Sequence, residues 1–242
     1  MRYLLTITYD GEKYAGWQKQ LNAKTIQGEI ESALKILLKE EVNLVGSGRT
    51  DAGVSALWQV AHFDTSVKIE NFSKFVYSLN GILENDIKVL NIKETELHAR
   101  FSAKEKTYLY KMYKSNIDLP LKHKSLRIDE DTNVEAIKEC LGCLTGEHNF
   151  KNFCSSGSEV ENTVRKIYNT KLVEEYNGNG IEIYITGNGF LYKMVRNIVG
   201  LLLEVGKGKI TKQEFLDIAF GDNEYNKKTA PAFALCLYNV LY

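Results

Sequence analysis

Short strand-like segments alternate with helix-like segments along all 242 residues of the chain, and this succession limits the folds that it can adopt. Neighbouring strands are often close enough in sequence to pair antiparallel. The order predicts an α+β fold in two mixed α/β halves, at residues 1–103 and 104–242, with largely antiparallel sheets, and it leaves open whether the two halves are similar. The predicted strands lie at about 2–9, 43–48, 57–64, 86–94, 107–113, 163–174, 180–186 and 233–241. The predicted helices lie at about 25–39, 71–79, 133–145, 190–205 and 211–219, and Thr25 is a candidate N-cap for the first of them.

The strand predicted at 57–64 indicates how the sheet around it is covered. Apolar residues fall on both of its faces, with Ala61 and Phe63 on one side and Trp58 and Val60 on the other. A strand of this kind favours a sheet that is covered on both sides.

The charge balance narrows the ways in which this chain could bind nucleic acid. Lys and Arg together number 31, as do Asp and Glu, so the formal net charge is zero at pH 7. A neutral chain is poorly suited to coating nucleic acid nonspecifically, because that mode depends on positive charge. Any RNA contact must therefore use local basic patches, although most single lysines are expected to lie on solvated faces. The candidate patches are 104–114, 122–127, 193–196 and 207–212.

The N-terminal sequence and the apolar stretches bear on location. Met1 leads directly into the alternating stretch 2–9, which lacks the pattern of a signal peptide. The longest apolar helical stretch, near 198–205, is interrupted by Gly200 and Glu204 and is too short to cross a bilayer of about 30 Å. We expect a cytoplasmic protein that does not associate with membranes.

Four cysteines raise the question of a zinc site. Cys140 and Cys143, followed by His148 and Cys154, have a spacing similar to that of a zinc knuckle. However, Cys140 lies at helical spacing from Ile137 and other apolar residues, which places it on the buried face of a predicted helix. We therefore expect no metal.

A glycine-rich loop follows the strand predicted at 43–48 and reads Gly46-Ser47-Gly48-Arg49-Thr50-Asp51-Ala52-Gly53. Glycines permit positive φ angles and close approach of the backbone to a ligand, so such loops often form binding sites. Taken alone, the pattern fits two readings equally well, a turn in which Asp51 caps the backbone beside a surface arginine, or a functional site. The loop lacks the Gly-Lys-Ser/Thr ending of a phosphate loop and does not continue as Gly-x-Gly-x-x-Gly, which argues against a nucleotide cofactor.

Eight motifs extend this observation along nearly the whole chain. Those in the first half are Tyr9-Asp10-Gly11 with Gly16-Trp17-Gln18, Thr25-Ile26-Gln27, Gly48-Arg49-Thr50-Asp51-Ala52-Gly53-Val54, and Gln59-Val60-Ala61-His62-Phe63. Those in the second half begin with His98-Ala99-Arg100-Phe101-Ser102-Ala103, with Tyr108 and Tyr110, and continue with Gly146-Glu147-His148-Asn149-Phe150, Met194-Val195-Arg196-Asn197-Ile198-Val199-Gly200 and Ala230-Pro231-Ala232. In identity and order they resemble the motifs of the tRNA pseudouridine synthase A family. The resemblance implies the pseudouridine synthase fold, in which two similar halves are joined around a central RNA-binding cleft.

The activity that this resemblance implies is a cofactor-free isomerisation. The enzyme would detach uracil from its ribose, rotate it and rejoin it through carbon, at positions 38–40 on the 3′ side of the tRNA anticodon stem-loop. An aspartate side chain suits this chemistry, since an unperturbed pKa of about 3.9 leaves it ionised at neutral pH without a metal. By its match to the family motif, Asp51 is the expected nucleophile.

Two arginines match residues that act beside this carboxylate in the family. Arg196 matches the basic partner of the aspartate, and a nearby cation keeps a carboxylate charged and fixes its direction. The target uridine must leave its stack before Asp51 can reach it, and Arg49 matches the residue that fills the vacated space. A planar guanidinium is suited to stacking on bases and to contacting phosphate.

Four further residues are expected to contact the substrate. Tyr108 matches the aromatic residue that stacks on the flipped base, and Leu235 matches the apolar wall on the opposite side. Arg100 and His98 lie on a segment that resembles an RNA-contacting stretch, and His98 has the alternative of a purely structural hydrogen-bonding role.

Three residues depart from the family's usual pattern. Ser55 stands where His is usual, Trp58 where a small residue is usual, and Ala234 where Gly is usual. These departures leave two alternatives open, a divergent paralogue that modifies another RNA and a noncatalytic tRNA-binding relative. An enzyme that uses the glycine loop to bind a small molecule is a third.

The neutral charge also bears on assembly. Basic strips that are too small on one chain could be joined across two chains. Members of the family resemble obligate homodimers that clamp one tRNA across both subunits, so we expect a homodimer.

Overall fold

The computed structural model describes residues 1–157, 160–175, 179–221, 226 and 228–242. Within these residues the chain forms ten strands and five α-helices, which confirms the predicted mixed α/β class. The strands are β1 (Arg2–Tyr9), β2 (Val45–Gly46), β3 (Ser55–Asp64), β4 (Ile87–Glu94), β5 (Glu105–Lys114), β6 (Leu126–Ile128), β7 (Gly146–Asn149), β8 (Val164–Glu174), β9 (Gly180–Gly187) and β10 (Leu235–Leu241). The helices are α1 (Ile26–Leu38), α2 (Phe72–Ile82), α3 (Val134–Gly142), α4 (Met194–Gly206) and α5 (Lys212–Phe220).

The chain divides into two compact units. The first consists of Met1–Lys104 and Cys236–Tyr242, and the second of Glu105–Leu235. The sequence placed all of 104–242 in one half. In the structure the last seven residues, Cys236–Tyr242, group with the first unit, because Cys236 and Leu237 pair in parallel with Ser55 and Ala56 of β3.

The first unit is built on a mostly antiparallel sheet. Its central strand, β1, pairs antiparallel with β3 on one side and with β4 on the other, and β2 also pairs antiparallel with β3. Every residue of β3 from Gln59 to Phe63 is buried, as predicted for a strand that is covered on both faces. Leu57 and Trp58 are each 47% exposed, so this covering does not extend to the start of the strand.

Helix α1 begins where its cap was predicted. The Thr25 hydroxyl accepts a hydrogen bond from the backbone N–H of Gly28 at 3.3 Å, which satisfies one of the amides left unpaired at a helix start. The buried face of the helix carries Ile26, Ile30 and Leu34, which have no exposed surface.

The strand predicted at about 43–48 is reduced to the two residues of β2. The backbone of Leu44 is bonded to side chains of α1 instead of to a neighbouring strand. Its N–H donates to Glu31 Oε1 at 3.0 Å, and its carbonyl accepts from Gln27 Nε2 at 3.0 Å. These two bonds leave less of the segment available for a ladder.

The second unit repeats the combination of helices with a mostly antiparallel sheet. Strand β9 lies between β5 and β8, and β7 follows on the far side of β8, all in antiparallel pairs. Only β6, among the described strands of this unit, pairs in parallel, with β5. Helix α4 is buried along most of its length, and α3 and α5 pack against it.

Helix α4 begins at Met194, so Phe190 lies outside the helix in which it was predicted. The residue before the helix, Lys193, has φ of 58°, a left-handed conformation that an α-helix does not contain. The backbone therefore turns at Lys193 and becomes helical only afterwards.

Cys140 is 1% exposed on α3, as its helical spacing predicted. The described part of the chain holds no group of three or more His, Cys, Asp or Glu residues arranged to bind a metal ion. In the same part of the chain, every helix is too short or too polar to span a membrane.

Candidate active site

The glycine-rich loop connects β2 to β3 in the first unit. Arg49 is exposed, Thr50 is 6% exposed, and Asp51 is half-buried. The Asp51 carbonyl accepts the N–H of Val54 at 3.1 Å, which closes a tight turn. Gly53, inside this turn, has φ of 78°.

The backbone of this loop is held by the segment that follows β1. The Trp17 N–H donates to the Thr50 carbonyl at 3.0 Å, and the Gly53 N–H donates to the Tyr14 carbonyl at 3.3 Å. Gly16 has φ of 94°, and a Cβ on it would lie 2.7 Å from the Thr50 carbonyl oxygen. Only glycine allows the two segments to approach this closely, which gives Gly16-Trp17 a physical role beside the loop.

Buried side chains also bind the loop through hydrogen bonds. The Tyr9 hydroxyl lies 2.8 Å from Thr50 Oγ1. The Ser47 hydroxyl donates to Gln59 Oε1 at 2.7 Å, and Gln59 Nε2 donates to the Gly48 carbonyl at 3.0 Å. Burial raises the pKa of Tyr9, so its hydroxyl keeps its proton and its hydrogen bond at neutral pH. The residue on the N-terminal side of Asp51 is thus fixed through both its main chain and its side chain.

Asp51 was predicted from the sequence, but the hydroxyl contact that holds its neighbour was not. Tyr9 and Thr50 are 41 residues apart, and no local periodicity links them. The one available signal was that both residues lie within motifs shared with a known family. Such a signal marks the residues without showing that they touch.

His98 and Arg100 lie on a second turn of the first unit, which follows β4. The His98 Nδ1 accepts the N–H of Arg100 at 3.2 Å and that of Phe101 at 3.3 Å. The His98 backbone in turn exchanges hydrogen bonds with Ser102. His98 thus forms structural hydrogen bonds within this turn, and Arg100 is exposed.

His62 of β3 secures this turn from the interior. It is 3% exposed, and its Nδ1 accepts the N–H of Ala99 at 3.1 Å. Burial, aided by the positive charge of Arg2 and by His98, lowers the pKa of His62 to about 4. The ring is therefore neutral at physiological pH, and Nδ1 remains available as an acceptor.

Tyr108 lies on β5 of the second unit, paired with Ile185 of β9. It is 8% exposed, and its ring meets that of Phe190 edge to face, with the centroids 5.1 Å apart. Phe190 belongs to the connection between β9 and α4 and was not singled out from the sequence as a partner of Tyr108.

Arg196 is the third residue of α4 and is half-buried. Its Nε donates to the Ala230 carbonyl at 2.8 Å, and the Ala230 N–H donates back to the Arg196 carbonyl at 3.0 Å. A Cβ on Gly200 would overlap the carbonyl oxygen of Lys228, so only glycine lets this segment pass so close to the helix. Two motifs that are distant in sequence are therefore packed together.

Leu235, at the start of β10, is 5% exposed and follows the short 3-10 helix Ala232–Ala234. The segment before that helix is also tied to β5, since the Tyr110 hydroxyl donates to the Pro231 carbonyl at 3.0 Å. Within the second unit, the structure thus connects the strand of Tyr108, the helix of Arg196 and the segment that leads to Leu235.

Many of the basic residues considered for RNA contact are paired with carboxylates. Such exposed pairs contribute little to stability, but they reduce the positive charge that is available to a polyanion. The pairs are Lys111–Glu182 at 3.7 Å, Lys122–Glu175 at 3.0 Å, Arg127–Asp118 at 3.0 Å, Lys209–Glu204 at 3.9 Å and Lys212–Glu139 at 3.4 Å.

Comparison with known proteins gives matches over the whole chain. Residues 5–102 and 143–242 match a family model described as tRNA pseudouridine synthase. The chain is 46% identical to tRNA pseudouridine synthase A of Caldicellulosiruptor bescii over 99% of this chain and 98% of that protein. It is 44% identical to the protein of the same name from Ruminiclostridium cellulolyticum, over 98% of each.

A solved structure gives a weaker match. This is a chain from the structure of an H/ACA RNP bound to a substrate RNA containing 2′-deoxyuridine, with 14% identity and a TM-score of 0.39. The match covers 83% of this chain and 44% of that chain.

Removing the Tyr9 hydroxyl should weaken the first unit. We expect Tyr9→Phe to lower the free energy of unfolding by about 1–2 kcal/mol, because Thr50 Oγ1 loses its partner in the interior. Urea unfolding measures this change, and hydrogen exchange should show faster opening of the amides around Asp51. The control is Tyr77→Phe, at a residue that is 82% exposed, where a change below about 0.5 kcal/mol is expected. Equal losses in the two variants would contradict the structural role of Tyr9.

The depressed pKa of His62 should appear in the pH dependence of stability. The folded chain keeps this ring neutral down to about pH 4, whereas the unfolded chain protonates it near the ordinary value of 6.5. Between these two pH values the unfolded state thus binds more protons than the folded state. The contribution of His62 to stability is therefore fully present above pH 6.5 and is lost as the pH falls to about 4.

We expect His62→Asn, which retains an acceptor close to the Nδ1 position, to lose less stability than the wild type over that interval. The measurement is the free energy of unfolding in urea at a series of pH values. His123→Asn, at an exposed histidine, should keep the wild-type slope. Parallel curves for the wild type and His62→Asn would show that His62 does not titrate in this way.

Proposed function

This chain belongs to the tRNA pseudouridine synthase A family, and from that membership we propose that it modifies the anticodon stem-loop of tRNA with Asp51 as nucleophile. It is an isomerase that forms pseudouridine in tRNA. The proposed targets are the uridines at positions 38–40, on the 3′ side of the stem-loop.

The observation that carries the assignment of Asp51 is the way in which its loop is built. Thr50 is fixed by the Trp17 N–H and by the Tyr9 hydroxyl, while the next residue holds a carboxylate that is only half-buried. A turn that merely capped its own backbone would not need a buried tyrosine and a glycine cradle. Rigid support beneath an accessible charged group is instead typical of a preorganised catalytic residue.

The chemistry requires no co-reactant, because uridine and pseudouridine contain the same atoms. The bond between N1 of uracil and C1′ of ribose breaks, the base rotates, and a bond between C5 and C1′ forms. The hydrogen on C5 then leaves as a proton, and N1 takes up a proton, so the atoms balance. A carboxylate can assist as a nucleophile or as a base, and correct placement of the base accounts for much of the remaining requirement.

Access to the reacting bond sets the roles of the other residues. The target uridine must be turned out of its stack, at a cost of a few kcal/mol. Arg49 is exposed, and we assign to it the role of filling the space that the base leaves in the stack. His98 and Arg100 are assigned to contact with the RNA strand through the turn that they form.

Three residues of the second unit complete the proposal. Arg196 is assigned as the basic partner of the nucleophile, and the bond from its Nε to the Ala230 carbonyl orients the guanidinium without neutralising its charge. Tyr108 is assigned to stacking on the flipped base, supported by its edge-to-face contact with Phe190. Leu235 is assigned as the apolar wall for that base.

We also propose that the chain acts in the cytoplasm as a homodimer. The formal charge is zero, and Lys111, Lys122 and Lys212 are paired with carboxylates, which reduces the positive charge that one chain offers to RNA. Joining basic strips across two subunits would provide a longer one.

Replacing the nucleophile should abolish turnover while leaving the substrate bound. We expect Asp51→Asn to form no detectable pseudouridine in a tRNA transcript, with a Kd within about threefold of the wild-type value, since the amide keeps the shape but cannot attack. Pseudouridine mapping on the transcript, and on total RNA from cells with and without the gene, measures activity and locates the modified positions.

The matched control for this experiment is Asp131→Asn, which makes the same change at an exposed aspartate outside the candidate basic patches. It should retain full activity. Full activity of Asp51→Asn would overturn the assignment of the nucleophile. RNA binding without turnover in the wild type would favour the noncatalytic alternative, and modification elsewhere would favour the paralogue.

The dimer is tested by light scattering at the concentrations used for activity. We expect a mass of twice 27.5 kDa, unchanged in Asp51→Asn. A monomeric mass for the active protein would count against the shared-surface proposal.

A further inference from the structure

Phe101 is an apolar residue left on the surface in an unusual setting. It is 77% exposed at the second turn of the first unit. One face of its ring stacks on His98, with the centroids 4.3 Å apart and the planes inclined by 27°. The guanidinium carbon of Arg100 lies 5.8 Å from the ring centroid. An aromatic surface, an aromatic backing and a cation are thus held in one place.

In the turn that carries Phe101, side chains of the turn accept hydrogen bonds from its own backbone. The Phe101 N–H is bound by His98 Nδ1, and the Ser102 hydroxyl accepts the His98 N–H at 3.0 Å. The ring position is therefore defined before any ligand arrives, which reduces the entropy lost on binding.

Ala99 fixes the same turn to the interior of the first unit. It has no exposed surface, its N–H donates to His62 Nδ1, and its carbonyl accepts the Tyr242 hydroxyl at 2.6 Å. Its two polar backbone groups are thus bound within the unit, the N–H to a buried histidine and the carbonyl to a half-buried tyrosine. Packing within the first unit does not explain why Phe101 is so exposed on a turn that is held this firmly.

We propose that Phe101, backed by His98 and flanked by Arg100, is a stacking platform for an unpaired base of the RNA substrate. The proposal rests on the function proposed above and names a contact away from the reacting base. Single-stranded RNA is commonly bound by stacking its bases on aromatic rings, with arginine nearby for phosphate. Arg100 supplies that cation, and the exposed ring face supplies the surface.

Charge favours RNA over a protein as the partner of this surface. The other strongly exposed aromatic residue of the unit, Tyr77 at 82%, lies on α2, and among the described residues neither an aromatic ring nor a cation stacks on it. An apolar protein contact would need no guanidinium over the ring, whereas a base with its phosphate uses both groups. Tyr77 is therefore a matched control of similar exposure.

The test compares Phe101→Ala, Phe101→Trp and Tyr77→Ala with the wild-type protein. Kd for a tRNA transcript at fixed salt is measured together with kcat and KM for pseudouridine formation. We expect Phe101→Ala to raise Kd and KM by about 5- to 100-fold, the range of one lost base stack, while kcat at saturating tRNA changes by less than about twofold. Phe101→Trp should restore binding, and Tyr77→Ala should match the wild type.

Several outcomes would overturn the proposal. They are unchanged Kd in Phe101→Ala, an equal loss in Tyr77→Ala, or a change in the mass of Phe101→Ala by light scattering, which would assign the residue to a protein interface. Urea unfolding of each variant shows whether a loss of binding is caused by misfolding. If Phe101→Ala is destabilised, restored binding in Phe101→Trp supports the platform, and no restoration contradicts it.

Failure of the proposed function has a different signature. A wild-type protein that binds tRNA without forming pseudouridine would reject the activity but would leave the Kd comparison valid. Normal wild-type turnover with unchanged Kd in Phe101→Ala would reject the platform alone.

Discussion

The contact between Tyr9 and Thr50 is the constraint on which the arrangement of the first unit's functional loop depends. Tyr9 ends the central strand, and its hydroxyl reaches the residue beside Asp51. Gly16 then allows the chain that leaves this strand to pass over the loop, where Trp17 binds the Thr50 carbonyl. The strand, the crossing segment and the loop are consequently joined by hydrogen bonds, and we expect a change in any of them to shift the Asp51 carboxylate.

In each unit a glycine lets two backbone segments pack closely beside a half-buried charged side chain. In the first, a glycine lets one backbone segment approach another beneath Asp51. In the second, Gly200 lets the segment that contains Ala230 lie against α4, and Arg196 bonds to that segment while its guanidinium keeps its charge. Glycine usually destabilises a regular helix or strand. At both of these positions, however, the absence of a Cβ provides the space that the close packing requires.

The sequence predicted elements well where the pattern was long and periodic. The predicted strand at 2–9 and the cap at Thr25 agree with the structure, because strand alternation and capping are local properties. It was wrong on the length of β2 and on the start of α4, where side chains of α1 bind Leu44 and where Lys193 takes a left-handed conformation. The anchors of the candidate site were missed for a similar reason, since the bonds from Tyr9 to Thr50 and from Tyr242 to Ala99 join distant residues. Spacing along a sequence does not encode such contacts.

The pairing of Cys236 and Leu237 with Ser55 and Ala56 has a consequence for biosynthesis. The first unit begins to emerge from the ribosome early, yet its β10 residues follow only after Glu105–Leu235 has been made. One edge of β3 therefore waits without this partner while the inserted unit is synthesised and folds. Unpaired strand edges are prone to pair with other chains, so the interval is one in which chaperones would protect the nascent protein. Closure of the first unit also brings together residues far apart in the chain, and contacts of this kind generally slow folding.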